Sequence, residues 1–80
     1  MTRNHTLRDL RKTIGARLHQ ERLRRGLTLR QLSRRTGINE TKLDQFEMGK
    51  NAINLEVLWH ISCALDTGLN GFFFPWPVSV

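Results

Sequence analysis

Four polar side chains, Glu40, Thr41, Asp44 and Gln45, stand in the stretch "GINETKLDQFEMGK" (Gly37 to Lys50) at spacings that share one face of a helix. Leu43 and Phe46 take the opposite, inward side, and Lys42 stands toward a rim. The chemistry open to this face is hydrogen bonding. The Gln45 amide fits the N6/N7 edge of adenine, Thr41 offers a methyl contact to thymine, and Glu40 can accept from a cytosine amino group. Asp44 has no comparable pairing. Two acids are therefore carried toward a polyanion, which is tolerable only where other residues hold the phosphates, since backbone contacts position a protein and base contacts specify. Acids in such a face reject unsuitable sequences. The same residues would also serve as ordinary solvated acids on a helix that touches no DNA, or as contacts for a basic protein.

The rest of the chain carries the needed positive charge. Thirteen Lys and Arg stand against 7 Asp and Glu, a net +6 over 80 residues. Residues 1–35 hold 11 basic and 2 acidic side chains, a net +9, whereas residues 36–80 hold 2 and 5, a net −3. Arg17, Arg30, Arg34 and Arg35, with Arg3 and Arg8 toward the N-terminus, are the candidates for phosphate attraction, although a basic helix surface can be merely soluble.

Other classes of chemistry find little support. The sequence has no Tyr, no nucleophile–base motif and no phosphate-cradling Gly loop, so no enzyme is expected. Cys63 is the only cysteine, which excludes an intramolecular disulfide; its place in an apolar-periodic stretch predicts a small buried thiol, with no basic neighbour to activate it. His60 precedes Cys63 by three residues, but His5 and His19 follow no ligand spacing, so neither a metal nor another cofactor is expected. No apolar run approaches the roughly 20 residues that cross a bilayer. Met1 leads into "TRNHTLRDLRK", which lacks the apolar core of a secretion signal, and a cytoplasmic protein with no membrane contact is the expectation. A chain this short has a modest core, so a second copy or a partner would add to its stability.

Helical periodicity dominates the elements that must position the polar face. "TLRDLRKTIGARLHQERLRRG" places Leu7, Leu10, Ile14 and Leu18 in one apolar stripe, with Thr6 and Asp9 as a capping box. It predicts a first helix over about 7–25, with a break near Gly15 as an alternative. Thr28 starts a second helix, "LRQLSRRTG", about eight residues long and closed by Gly37. Asn39 caps a third, "ETKLDQFEM", which ends before Gly49. Asn54 caps a fourth, "LEVLWHISCAL", with Leu55, Leu58, Ile61, Ser62 and Leu65 as its stripe and Trp59 packed beside it. Gly68 and Gly71 weaken any fifth helix.

Two short helices joined by a Gly-containing turn are the sequence form of a helix-turn-helix. Leu32, Ser33, Gly37, Ile38, Leu43 and Phe46 each fall where that motif needs an apolar, small or turn residue. On these residues the chain resembles the lambda-repressor-like, Cro-type helix-turn-helix proteins, the XRE family, over about residues 13–73. The resemblance implies an all-α, compact bundle of about five helices. It also implies a DNA-binding transcriptional regulator, often a repressor or antitoxin, that meets a palindromic operator in double-stranded DNA as a homodimer. Residues 1–12 would then be a basic arm or an extension of the first helix, and residues 74–80 an apolar tail.

Carried over position by position, the resemblance makes Glu40, Thr41 and Gln45 base readers, with Asp44 on the same face. It pairs Arg22 with Glu47 as a structural ion pair, which removes Glu47 from the acids facing DNA. Thr28 and Lys50 match phosphate contacts, and Arg17, Arg30 and Lys42 lie where they would join them. Where the family often begins its second helix with a phosphate-anchoring Gln, this chain has Leu29, so only the backbone N–H can serve there. Phe72 and Phe73 match core positions of a fifth helix.

The tail "FFFPWPVSV" is too apolar for a free end. Pro75 and Pro77 remove hydrogen-bond donors from one edge of an extended segment, whereas Trp76 and Val78 keep theirs on the other. Such a segment suits docking on a second copy, packing within the chain, or contact with a separate protein, with Phe74, Trp76 and Val78 as the contact residues. The competing readings on this fold are an antitoxin-like regulator that caps a partner protein and a protein-interaction module without specific DNA binding.

Overall fold

The first four helices each start where a polar side chain takes up an N–H that has no partner within the helix. A computed structural model describes residues 6–73. In it the chain forms α1 (Leu7–Arg24), α2 (Leu29–Thr36), α3 (Glu40–Glu47), α4 (Leu55–Ala64) and α5 (Asn70–Phe73), with no strand among the described residues. Thr6 and Asp9 close a reciprocal capping box on α1, and Thr28 and Gln31 close another on α2. The Asn39 side chain accepts from the Thr41 and Lys42 N–H groups at 2.7 and 3.3 Å, and that of Asn54 from Val57 at 2.8 Å. No described helix is long and apolar enough to cross a membrane.

The turn between α2 and α3 is fixed by more than its glycine. Gly37 takes φ +74, a left-handed conformation that a Cβ would strain, and its N–H closes onto the Ser33 carbonyl. The Ser33 hydroxyl donates to the Ile38 carbonyl at 2.5 Å, and the Thr36 hydroxyl accepts from the Ile38 N–H at 3.1 Å. From α4, His60 Nε2 donates to the Thr36 carbonyl at 2.8 Å. The angle between α2 and α3 is thereby tied to the turn's side chains as well as to its backbone.

One core joins the helices: Ile14 and Leu18 from α1, Leu27, Leu32 from α2, Leu43 and Phe46 from α3, Leu58, Ile61 and Leu65 from α4 and its end, and Phe72 from α5. The α1 helix packs on α3 and α5, while α2 packs on α3 and α4. Gly15 does not break α1. Its missing side chain leaves room for α3, because a Cβ there would lie 2.3 Å from the Phe46 carbonyl oxygen and 2.7 Å from that of Glu47.

Several sequence expectations are corrected. Cys63 is exposed, because the buried residues of α4 are Leu58, Ile61 and Ser62 and position 63 falls outside that stripe. Leu7 and Leu55, at the first positions of their helices, are exposed as well, and so is Trp59. Their stripes extend one turn beyond the core. Residues 7–12 lie in α1, within the range expected of the first helix. The fifth helix has only four residues, yet Phe72 is fully buried. Arg3, the Phe73 side chain and the tail residues Phe74, Trp76 and Val78 lie outside what is described.

Candidate nucleic-acid interface

The position of α3 is set at its C-terminal end by a buried charge pair. Arg22 Nε donates to Glu47 Oε2 at 2.6 Å and Nη2 to Oε1 at 3.0 Å, a two-pronged contact in which the side chains are only 9% and 5% exposed. The third nitrogen, Nη1, donates to the Leu27 carbonyl at 2.8 Å, so the guanidinium also holds the loop into α2. The hydrogen bond to Glu47 raises the Arg22 pKa above its ordinary value against the opposing effect of burial, so the group stays charged. His19 completes the cluster, with Nδ1 2.7 Å from Glu47 Oε1. Sequence reasoning missed His19, which is 28 residues from its partner and belongs to no motif.

With Leu43 and Phe46 buried, the helix turns Glu40, Thr41 and Asp44 to solvent and leaves Gln45 half-buried at the edge of the same face. Lys42 is exposed, with Nζ 5.9 Å from the centre of the Phe46 ring. Glu40 meets Arg30 from the start of α2, Nε to Oε2 at 3.8 Å. Both side chains are largely solvated, and a bridge of this kind contributes about 0–1 kcal/mol. It lowers the local negative charge without immobilising either residue.

The residues expected at phosphates differ in exposure. Thr28 is exposed as the N-cap of α2; its hydroxyl oxygen accepts from Gln31 N–H, which leaves the hydroxyl proton available to an anion. Leu29 leans on the core, so at this position only the first backbone N–H of α2 faces outward chemistry. Arg30 and Lys50 are exposed, and Arg17 is half-buried on α1. Beyond the sequence-predicted set, Asn51 Nδ2 donates to Gln45 Oε1 at 2.7 Å from the loop after α3. No spacing rule in the sequence singles out that residue.

The fold recurs in proteins similar to this chain. The helix-turn-helix family HTH_3 matches residues 18–72. The chain belongs to that family. As an HTH_3 member it carries a DNA-binding helix-turn-helix. An HTH_3 family transcriptional regulator from Vibrio cholerae superposes with a TM-score of 0.81 at 29% identity, over 85% of this chain and 38% of that one. The chain thus spans less than half the length of that regulator. The clp gene regulator ClgR from C. glutamicum superposes at TM-score 0.77 and 28% identity, over 79% of this chain and 82% of its own. The restriction-modification controller protein C.AhdI from Aeromonas hydrophila, at 24% identity, shares the fold with a TM-score of 0.76 over 79% and 96% of the two chains. A comparison with curated proteins finds no match.

Within the HTH_3 fold, α2 and α3 form the helix-turn-helix, α1 braces α3 through Arg22, and α4 braces the turn through His60. On the outward face of α3, Glu40 meets Arg30 and Gln45 meets Asn51.

Proposed function

We propose that this DNA-binding protein is a sequence-specific transcriptional regulator, a repressor that meets a palindromic operator as a homodimer with α3 in the major groove. The observation that carries the reading is the two-sided build of α3. Leu43 and Phe46 are buried, Glu47 is clamped to Arg22, and Glu40, Thr41, Asp44 and Gln45 are left together on the outer side. Thr41 and Gln45 supply base contacts, Glu40 accepts from cytosine, and Asp44 excludes sequences whose acceptors would face it. Thr28, the Leu29 N–H, Arg30, Lys42, Lys50 and Arg17 hold the phosphates on either side, which offsets the two acids. The regulators from Vibrio cholerae and C. glutamicum lend support by analogy, and the family suits work in the cytoplasm.

An apolar patch supports self-association. Leu55 and Trp59, one turn apart on α4, are 64% and 58% exposed. With Glu56, His60 and Leu69 they line a groove of about 500 Å³. A homodimer on a palindrome holds its two α3 helices one turn of DNA apart, about 34 Å, and this face is the one we assign to the second copy. The tail residues Phe74, Trp76 and Val78 would add to such a contact, or would meet a separate protein in an antitoxin-like arrangement.

The test is selection of bound duplexes from a random pool. Enrichment of an inverted repeat with half-site centres about 10 base pairs apart is the expected result. Recovery of a single unrepeated site would refute the homodimer, and recovery of no preferred sequence would refute base reading by α3.

A further inference from the structure

The contact between Asn51 and Gln45 bears on which base α3 reads. Gln45 is the half-buried member of the outer face, and its carbonyl oxygen Oε1 accepts the Asn51 Nδ2 hydrogen bond at 2.7 Å. The partner is in the loop beyond α3, on the far side of Glu47, and the Lys50 N–H closes that loop onto the Gln45 carbonyl at 2.9 Å. The Gln45 amide is therefore held at its oxygen end by a residue whose backbone is itself fixed. The other end, the Nε2 amino group, has no hydrogen-bond partner among the described residues. A free glutamine reads adenine by offering both ends at once, Oε1 to the N6 amino group and Nε2 to N7. Oε1 keeps a second lone pair, but the Asn51 bond draws the oxygen toward the loop and leaves the Nε2 donor as the end with both of its hydrogens free for a base. N7 accepts from that donor in both purines, but at position 6 the donor meets the amino group of adenine and the O6 acceptor of guanine, so guanine takes a second hydrogen bond that adenine refuses.

We propose that Asn51 is a specificity-determining residue which holds the Gln45 amide so that it reads guanine rather than adenine. This rests on the reading of α3 as the base-contacting helix. Asn51 acts as a positioning residue, and Gln45 makes the contact. Removing Asn51 frees Oε1 and restores the two-ended grip on adenine. Replacing it with Asp reverses the hydrogen bond: a carboxylate repels Oε1 and accepts from Nε2, so the amide turns over and presents its oxygen outward. Oxygen outward favours the amino groups of adenine and cytosine.

The experiment measures affinity for the selected duplex and for its versions carrying each other base at the Gln45 position. Wild type, Asn51→Ala, Asn51→Asp and Gln45→Ala are compared, and circular dichroism reports whether each variant is folded. Wild type should prefer guanine over adenine by about tenfold. That ratio should collapse toward one or invert in Asn51→Ala and invert in Asn51→Asp, while preferences at bases facing Thr41 stay unchanged. A merely structural role would weaken all duplexes alike and leave the ratio intact. A wild-type preference for adenine, or the same guanine preference in folded Asn51→Ala and Asn51→Asp, would overturn the proposal while leaving base reading by α3 in place. Binding without sequence preference in every protein would overturn base reading itself, and this inference with it. If Asn51→Ala does not fold, the Asn51→Asp ratio decides the matter.

Discussion

Gly15→Ala isolates how α1 places the recognition helix. The added Cβ would sit 2.3 Å from the Phe46 carbonyl oxygen and 2.7 Å from that of Glu47, against ordinary contacts of about 3.5 Å. The obstructing atoms are backbone, so no rotamer change relieves them, and α1 and α3 must part by about 1 Å. Alanine favours the helix over glycine by about 1 kcal/mol. Overpacking of this kind costs about 1–3 kcal/mol, and its upper end applies where neither partner can rotate away. The clash wins, and the net loss is about 2 kcal/mol, equivalent to a melting temperature about 10 °C lower for a chain of 80 residues. Urea and thermal unfolding followed by far-ultraviolet circular dichroism measure it. The same separation pulls Glu47 away from Arg22, so duplex affinity should fall even at temperatures where the variant is fully folded. An unchanged or raised midpoint would refute the packing of α3 against Gly15, since helix propensity alone predicts stabilisation.

Three other perturbations have distinct signatures. Glu47→Ala leaves the buried Arg22 guanidinium without its carboxylate and should cost about 3–5 kcal/mol in urea unfolding; a loss below about 1 kcal/mol would mean the pair behaves as an exposed bridge. Lys50→Ala should weaken all duplexes about equally and lower the slope of log affinity against log salt by about 1, with sequence preference unchanged; an altered preference would place Lys50 on a base edge. Trp59→Glu should shift the protein from dimer to monomer in analytical ultracentrifugation without lowering its helix content, and an unaltered dimer would remove the α4 face from the interface.

The helices and their caps were legible because each rests on local chemistry. Thr6, Thr28, Asn39 and Asn54 stand just before apolar-periodic runs, and a cap acts within three residues of itself. The inward placing of Leu43 and Phe46 followed from helical spacing alone. Burial at helix ends was less legible. Periodicity assigns a face but not how far the core extends along it, and so Leu7 and Leu55 read as core and are exposed. Cys63 misled in a different way: its apolar neighbours Ile61 and Leu65 suggested burial, although the stripe read from spacing already ran through Ser62 and missed position 63. Gly15 suggested a helix break when taken alone, whereas its reason lies in the carbonyl groups of α3, some thirty residues along the chain. At the interface, the polar face of α3 was visible from residue spacing. The contacts of its members, Arg30 on Glu40 and Asn51 on Gln45, depend on how loops fold back and were not.

In the proposed complex α3 reads bases while the basic residues of the chain hold phosphates. The most direct test compares affinities for the selected duplex and a scrambled one across a salt series, for wild type and Gln45→Ala. Wild type should prefer the selected duplex by about a thousandfold or more. Gln45→Ala should lose about 1–3 kcal/mol of that preference with an unchanged salt slope. Binding that is blind to sequence, fades with salt and is the same in both proteins would contradict the claim, leaving only phosphate contact by the basic half of the chain.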